Sequence, residues 1–130
     1  MEQHPELRDF YQRYLGLVNS YDFDRLDDYI HDTVNFNGTS ITRDDLLFGF
    51  RGHIAAVPDL SWKIDELLVD GSKIAARIII TGTPVREWLG LSPTGATVTF
   101  AETAFYEVEE GRFRSIRNLM DMDSLRAQLA

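Results

Sequence analysis

The chain predicts an α+β fold, three helices laid on one face of a mainly antiparallel sheet. Two periodicities and the residue between them carry this reading. Up to Pro58 apolar residues recur at spacings of three and four, the stripe of amphipathic helices; after it they alternate in twos, the pattern of strands. Helices grouped before strands, rather than interleaved with them, argue against a series of βαβ units.

From Pro5 to about Ser20, Leu7, Phe10, Tyr11, Tyr14, Leu15 and Val18 form one helical stripe, and Pro5 suits a first turn. A second, short helix is expected after Asp22, read as its cap, with Leu26, Tyr29 and Ile30 on one side; "DTVNFNGTS" then turns extended. Thr42 and Asp45 have the spacing of a capping box and open a third helix, whose inner stripe is Leu46, Phe50, Ile54 and Val57 and which Pro58 ends. Four strands follow at about 61–69, 73–83, 97–108 and 112–122, with Asp70-Gly71 and Glu110-Gly111 as hairpin turns and a short C-terminal helix after them.

A length of 130 residues suits one domain, residues 1–130, and 44% apolar with 26% charged residues is ordinary globular composition. Thirteen basic against twenty-one acidic side chains give a net charge of −8, which repels phosphates and anionic lipid, so neither nucleic acid nor membrane is expected as a partner. The chain has no cysteine, shows no apolar leader at "MEQHPELRDF" and has no long apolar run, so a cytoplasmic location is expected. His4, His31 and His53 have no metal-ligand spacing, and no phosphate-binding or nucleophile motif appears, so no metal or cofactor is expected. His31 beside Asp32 reads as a surface pair.

Period two assigns the sheet's faces. In 97–108 the even residues, Val98, Phe100, Glu102, Ala104, Tyr106 and Val108, are the more apolar set and should face the helices. A three-residue hairpin loop ending on Gly111 would pair even with even, putting Glu102 near Asn118 and Tyr106 or Ala104 near Ile116. On the same reasoning Trp62, Ile64, Glu66 and Leu68 share a face with Ile74, Ala76, Ile78 and Ile80. A carboxylate on an apolar face must raise its pKa or find a hydrogen bond, which makes Glu102 a candidate acid/base group with Asn118 as its orienting amide. Asp121 is a second candidate carboxylate at the strand's end, although a helix cap shared with Asp123 accounts for it as well.

"VNSYDFDRLDDYIHDTV", "VPDLSWKIDELLVDGSKIAAR", "GTPVREWLGLSPTGATVTF" and "DMDSLRAQLA" together resemble the SnoaL-like polyketide cyclase and ester-cyclase family of the nuclear transport factor 2-like superfamily. The most specific part is Gly82-Thr83, then Trp88, then "GLSPTG" before a strand. The resemblance implies a curved sheet wrapping the first helix into a cone around an apolar pocket, homodimers through the outer sheet face, and cofactor-free aldol cyclisation by a carboxylate. Tyr14, Phe36, Phe50, Trp62, Trp88, Leu91, Ala104, Tyr106, Ile116 and Met120 are then expected to contact an apolar small-molecule substrate. The family's polar set is altered: its carboxylate falls on Asn118, and its other polar positions on Phe36, Pro84 and Ala104. The resemblance therefore leaves three readings: an acid/base cyclase or isomerase using Glu102, a binding or oligomerisation domain with a vestigial pocket, and an epoxide-hydrolase-like enzyme.

Overall fold

The computed structural model describes residues 5–130; His4 lies outside them. Helix α1, Pro5–Asn19, buries Tyr11, Tyr14, Leu15 and Val18, the expected stripe. Its last residue ties it to the sheet: the Asn19 amide donates to the Trp62 carbonyl (2.7 Å) and accepts from the Trp62 N–H (2.8 Å), as a strand neighbour would. The next segment, Phe23–Asp28, is a 3₁₀ helix, and Asp22 makes no side-chain capping bond to it. Six residues are too few to propagate an α-helix, and burial of Phe23 and Leu26 holds the tighter turn instead.

Strands β1, Ile30–Phe36, and β2, Thr39–Thr42, form a hairpin on Asn37-Gly38, whose φ values of 51° and 90° suit the twist of a two-residue turn. His31 and Asp32 do not pair; the imidazole contacts the Glu109 carbonyl and Asp32 meets Arg43. Helix α2, Arg43–Ala56, opens on the capping box: the Asp45 N–H donates to Thr42 Oγ1 (3.1 Å) and the Thr42 N–H to Asp45 Oδ2 (3.3 Å).

Strands β3, Ser61–Asp70, β4, Lys73–Gly82, β5, Val98–Glu109, and β6, Arg112–Met120, complete one six-stranded sheet in the order β2-β1-β6-β5-β4-β3. Among the described residues only the β1–β6 pairing is parallel. Helix α3, Met122–Gln128, closes the chain, with the Gln128 amide bonding both the N–H and the carbonyl of Thr99 (2.9 and 2.8 Å).

Two register details depart from expectation. Between Ile64 and Glu66 a bulge inserts one residue into β3, so Leu67 and Val69 turn inward while Glu66 and Leu68 face water. Glu66 is thereby removed from the inner face. The β5–β6 hairpin has a two-residue turn, Glu110 and Gly111 at φ 52° and 79°, with Glu109 opposite Arg112. A bulge after it, between Glu107 and Val108, restores even-to-even pairing: Tyr106 faces Ile116, Ala104 faces Asn118 and Glu102 faces Met120. The parity expected from a three-residue loop thus comes from a shorter turn plus a bulge.

Gly82 ends β4 where the connection from α2 lies directly on the sheet. A Cβ there would collide with Val57 and stand 3.2 Å from Leu60 Cδ1, so the glycine of the "GT" pair is needed for close approach. Among the described residues no helix is long and apolar enough to cross a membrane.

Candidate active site

Helices α1 and α2 do not fill the space over the curved sheet. A cavity of about 210 Å³ remains between them and the inner faces of β1, β3, β4, β5 and β6. An apolar protein cavity of about 150 Å³ holds benzene; this one has room for a bicyclic ring. Its walls are mainly hydrocarbon and aromatic, which makes the few polar groups in it conspicuous.

Glu102 enters from the middle of β5. Its Oε1 accepts a 2.6 Å hydrogen bond from Asn118 Nδ2, a diagonal neighbour on β6. The orientation of that amide is set from the other side: Asn37 Nδ2 donates to Asn118 Oδ1 (2.8 Å), and the Asn118 N–H donates to Asn37 Oδ1 (2.8 Å). A donor on Oδ1 leaves Nδ2 to face the carboxylate. Burial raises the pKa of Glu102 above the usual carboxylate value, and the Asn118 bond offsets part of that rise. Its second oxygen, Oε2, has no protein partner among the described residues.

Three tyrosines stand within electrostatic reach of this carboxylate. Tyr11 and Tyr106 share a hydrogen bond of 3.0 Å between their hydroxyls, and the Tyr14 ring lies against both. Burial pushes all three phenols above their ordinary pKa, and the charge of Glu102 adds to the rise in each. They remain protonated donors. In the Tyr11–Tyr106 pair one proton is used internally, so one hydroxyl proton stays available, and Tyr14 adds another.

Opposite the sheet, α2 contributes His53 and the connection between β4 and β5 contributes Trp88. The indole Nε1–H donates to His53 Nδ1 (2.9 Å), and the Trp88 ring meets Phe100 edge-on at 5.7 Å between centroids. The connection is fastened at two further points: the Val85 N–H donates to the Ala56 carbonyl (2.8 Å), and Trp88 and Leu91 exchange both backbone bonds (2.9 Å each) around Leu89-Gly90. Trp88 is 4% exposed. The tryptophan on this loop is therefore a wall of the cavity.

Of the expected contacts, Tyr14, Phe36, Phe50, Trp62, Trp88, Tyr106, Ile116 and Met120 line the cavity together with Glu102 and Asn118. Three do not. Asp121 accepts the Ser124 N–H (3.1 Å) as the cap of α3, which commits its carboxylate outside the cavity. Leu91 closes the tight turn through its backbone and packs against the core without lining the cavity. Ala104 has the inward parity, but it is buried at 1% exposure and its methyl does not line the cavity. Sequence reasoning missed Tyr11 and His53. His53 lies three residues after Phe50 on the inner stripe of α2, the one polar residue in an apolar series, and that interruption was the available signal. Among the described residues no group of three or more His, Cys, Asp or Glu side chains could hold a metal ion.

The helices, the curved mixed sheet and the cavity between them define an α+β protein of the nuclear transport factor 2-like fold. Residues 8–129 match the SnoaL-like polyketide cyclase family, and the chain belongs to it. A SnoaL-like polyketide cyclase from Agrobacterium tumefaciens superposes with a TM-score of 0.90 at 29% identity, covering 95% of this chain and 98% of that one. TsrD from Streptomyces laurentii gives 0.88 at 23% identity over 100% and 98% of the two chains, and IdmH from Streptomyces antibioticus 0.84 at 22% over 94% and 96%. No curated protein matches the sequence.

Proposed function

We propose that this protein is a cofactor-independent enzyme that removes a proton alpha to a carbonyl of an apolar, polyketide-type molecule and directs the resulting enolate to cyclisation or isomerisation. The observation that carries this reading is Glu102: a carboxylate in an apolar cavity, raised in pKa, with one oxygen held by an amide and the other free. Family membership supports the same general class.

In the proposed reaction Glu102 Oε2 takes the α-proton and the C–H electron pair passes into the enolate. The tyrosine hydroxyls are the donors for the developing enolate oxygen, an interaction that strengthens as charge builds. In a cyclisation the enolate carbon then attacks a second carbonyl of the same molecule, and the alkoxide so formed takes the proton back from Glu102. In an isomerisation the proton returns to a different carbon. Neither route consumes an external reductant or oxidant. An apolar wall with room for about two rings favours a folded, compact reactant.

The test is exchange of the α-protons of 1-tetralone, a bicyclic ketone, in D₂O, followed by NMR. The wild-type protein should accelerate exchange over buffer, and Glu102→Gln should lower the catalysed rate at least about a hundredfold. Binding of the ketone without any acceleration would remove the catalytic reading and leave a binding domain.

A further inference from the structure

The cavity holds a second polar group that the proposed proton transfer does not use. From Glu102 the next residue on the same face of β5 is Phe100, about 7 Å along the strand. The Phe100 ring meets Trp88, and the Trp88 ring meets His53 with 6.2 Å between centroids. No hydrogen bond joins His53 to the Glu102, Asn118 or tyrosine group, and the lowering of its pKa comes from burial alone.

Its protonation is decided by geometry. An indole N–H can only donate, so His53 Nδ1 must present a lone pair to Trp88 and the imidazole proton resides on Nε2. Nε2 has no protein partner among the described residues, and His53 is one of the residues that line the cavity. Nε2 is accessible rather than sealed in the core, so an acceptor on a bound molecule can take the place of water there.

Building on the proposed cavity function, we propose that His53 Nε2–H is a second anchor for the bound molecule, oriented by Trp88, and that the protein selects apolar ligands carrying a second oxygen at the end of the ring system remote from the reacting carbonyl. A molecule with one oxygen satisfies either the tyrosines or His53; one with oxygens at both ends satisfies both. In this arrangement Trp88 is a positioning residue, because it acts through the imidazole.

The experiment compares 1-tetralone with 6-hydroxy-1-tetralone, whose oxygens lie at opposite ends of the same bicycle, by calorimetric titration of the full chain. The wild type should bind the hydroxylated ketone at least about fivefold more tightly. His53→Asn keeps an acceptor for the Trp88 indole and removes the Nε2 donor; it should reduce the preference to about one. A retained Trp88 indole N–H resonance shows that the variant has kept its fold. Trp88→Phe, which frees the ring to exchange tautomers, should reduce the preference partly. Histidine ¹⁵N shifts of the wild type at pH 7 should show the proton on Nε2. An undiminished preference in His53→Asn, no preference in the wild type, or a proton on Nδ1 would overturn the proposal. Failure of the wild type to bind either ketone would overturn both it and the cavity's proposed function, whereas binding with the stated preference but no proton exchange would overturn only the catalytic reading.

Discussion

On β5 the even residues Val98, Phe100, Ala104, Tyr106 and Val108 are buried beneath the helices, whereas on the opposite face of the sheet Phe105 of β5, Leu68 of β3 and Leu119 of β6 are 49%, 60% and 77% exposed. Charges are handled differently on the two sides. Outside, Arg77 pairs with Asp65 at 2.6 Å with both side chains about half exposed, and Arg117 lies over the Phe105 ring at 5.7 Å. Such solvated pairs contribute about 0–1 kcal/mol each. Inside, Glu102 has a single neutral partner and its ionisation is opposed by burial. The same strand therefore carries charge where water carries its cost on one face, and where the protein must carry it on the other. The inner arrangement suits chemistry and the outer suits contact, and we propose that a second copy of the chain covers the outer face.

The sharpest break in this contrast is Glu102→Gln. It should lower catalysed proton exchange at least about a hundredfold, and it should raise the melting temperature at pH 7. The sign follows from linkage: a carboxylate whose folded pKa is raised stabilises the protein fully below its unfolded pKa, and that stability is lost as pH rises through the folded value. At neutral pH the raised pKa of Glu102 is thus a cost that glutamine removes. A variant that melts lower at pH 7, yet at the same temperature as wild type at pH 4, would contradict a desolvated carboxylate.

Next in size is Gly82→Ala, at the inner edge of β4. The added methyl meets Val57, and the overpacking should cost about 1–3 kcal/mol in urea unfolding. A change below about 0.5 kcal/mol would mean that the connection after α2 yields freely.

Asn37→Asp tests the orientation of the site without touching its wall. An aspartate at 37 can only accept, so Asn118 must turn Nδ2 toward it and present Oδ1 to Glu102. The bond that lowers the Glu102 pKa is lost, so its pKa rises further and the acidic limb of the pH–rate profile moves to higher pH. At a pH on that limb the rate should fall about tenfold, and it should recover as pH increases. An unmoved limb would separate Asn37 from the site.

The smallest expected effect lies outside. Leu119→Glu, on the exposed face of β6, should change unfolding free energy by less than about 0.5 kcal/mol while shifting the solution mass from dimer toward monomer. A wild-type mass already that of one chain at micromolar concentration would remove the second copy from the outer face.

Local patterns carried much of this structure. The stripes of α1 and α2, the Thr42–Asp45 capping box and the four strands after Pro58 were readable, because period and capping chemistry act over a few residues, whereas the β1–β2 hairpin showed only as an extended stretch. The inner position of Glu102 was readable too, since alternation along 97–108 fixes parity. Parity survived a wrong turn type only because the bulge between Glu107 and Val108 supplied the residue that the shorter loop omits. In β3 nothing in the alternation announced the bulge after Ile64, and Glu66 was misplaced to the inner face.

The sequence by itself determined that helices precede the main strands, the inner face of β5 and the presence of one carboxylate on an apolar face, because these follow from backbone periodicity and the cost of burying charge. Tertiary structure alone decided which groups meet: Asn37 from a hairpin turn with Asn118 of β6 and Glu102 of β5, Tyr11 of α1 with Tyr106 of β5, and His53 of α2 with Trp88 of a connection. These partners lie 16 to 95 residues apart in the chain, and hydrogen-bond geometry between such distant groups is fixed only when the sheet curves and the helices settle on it.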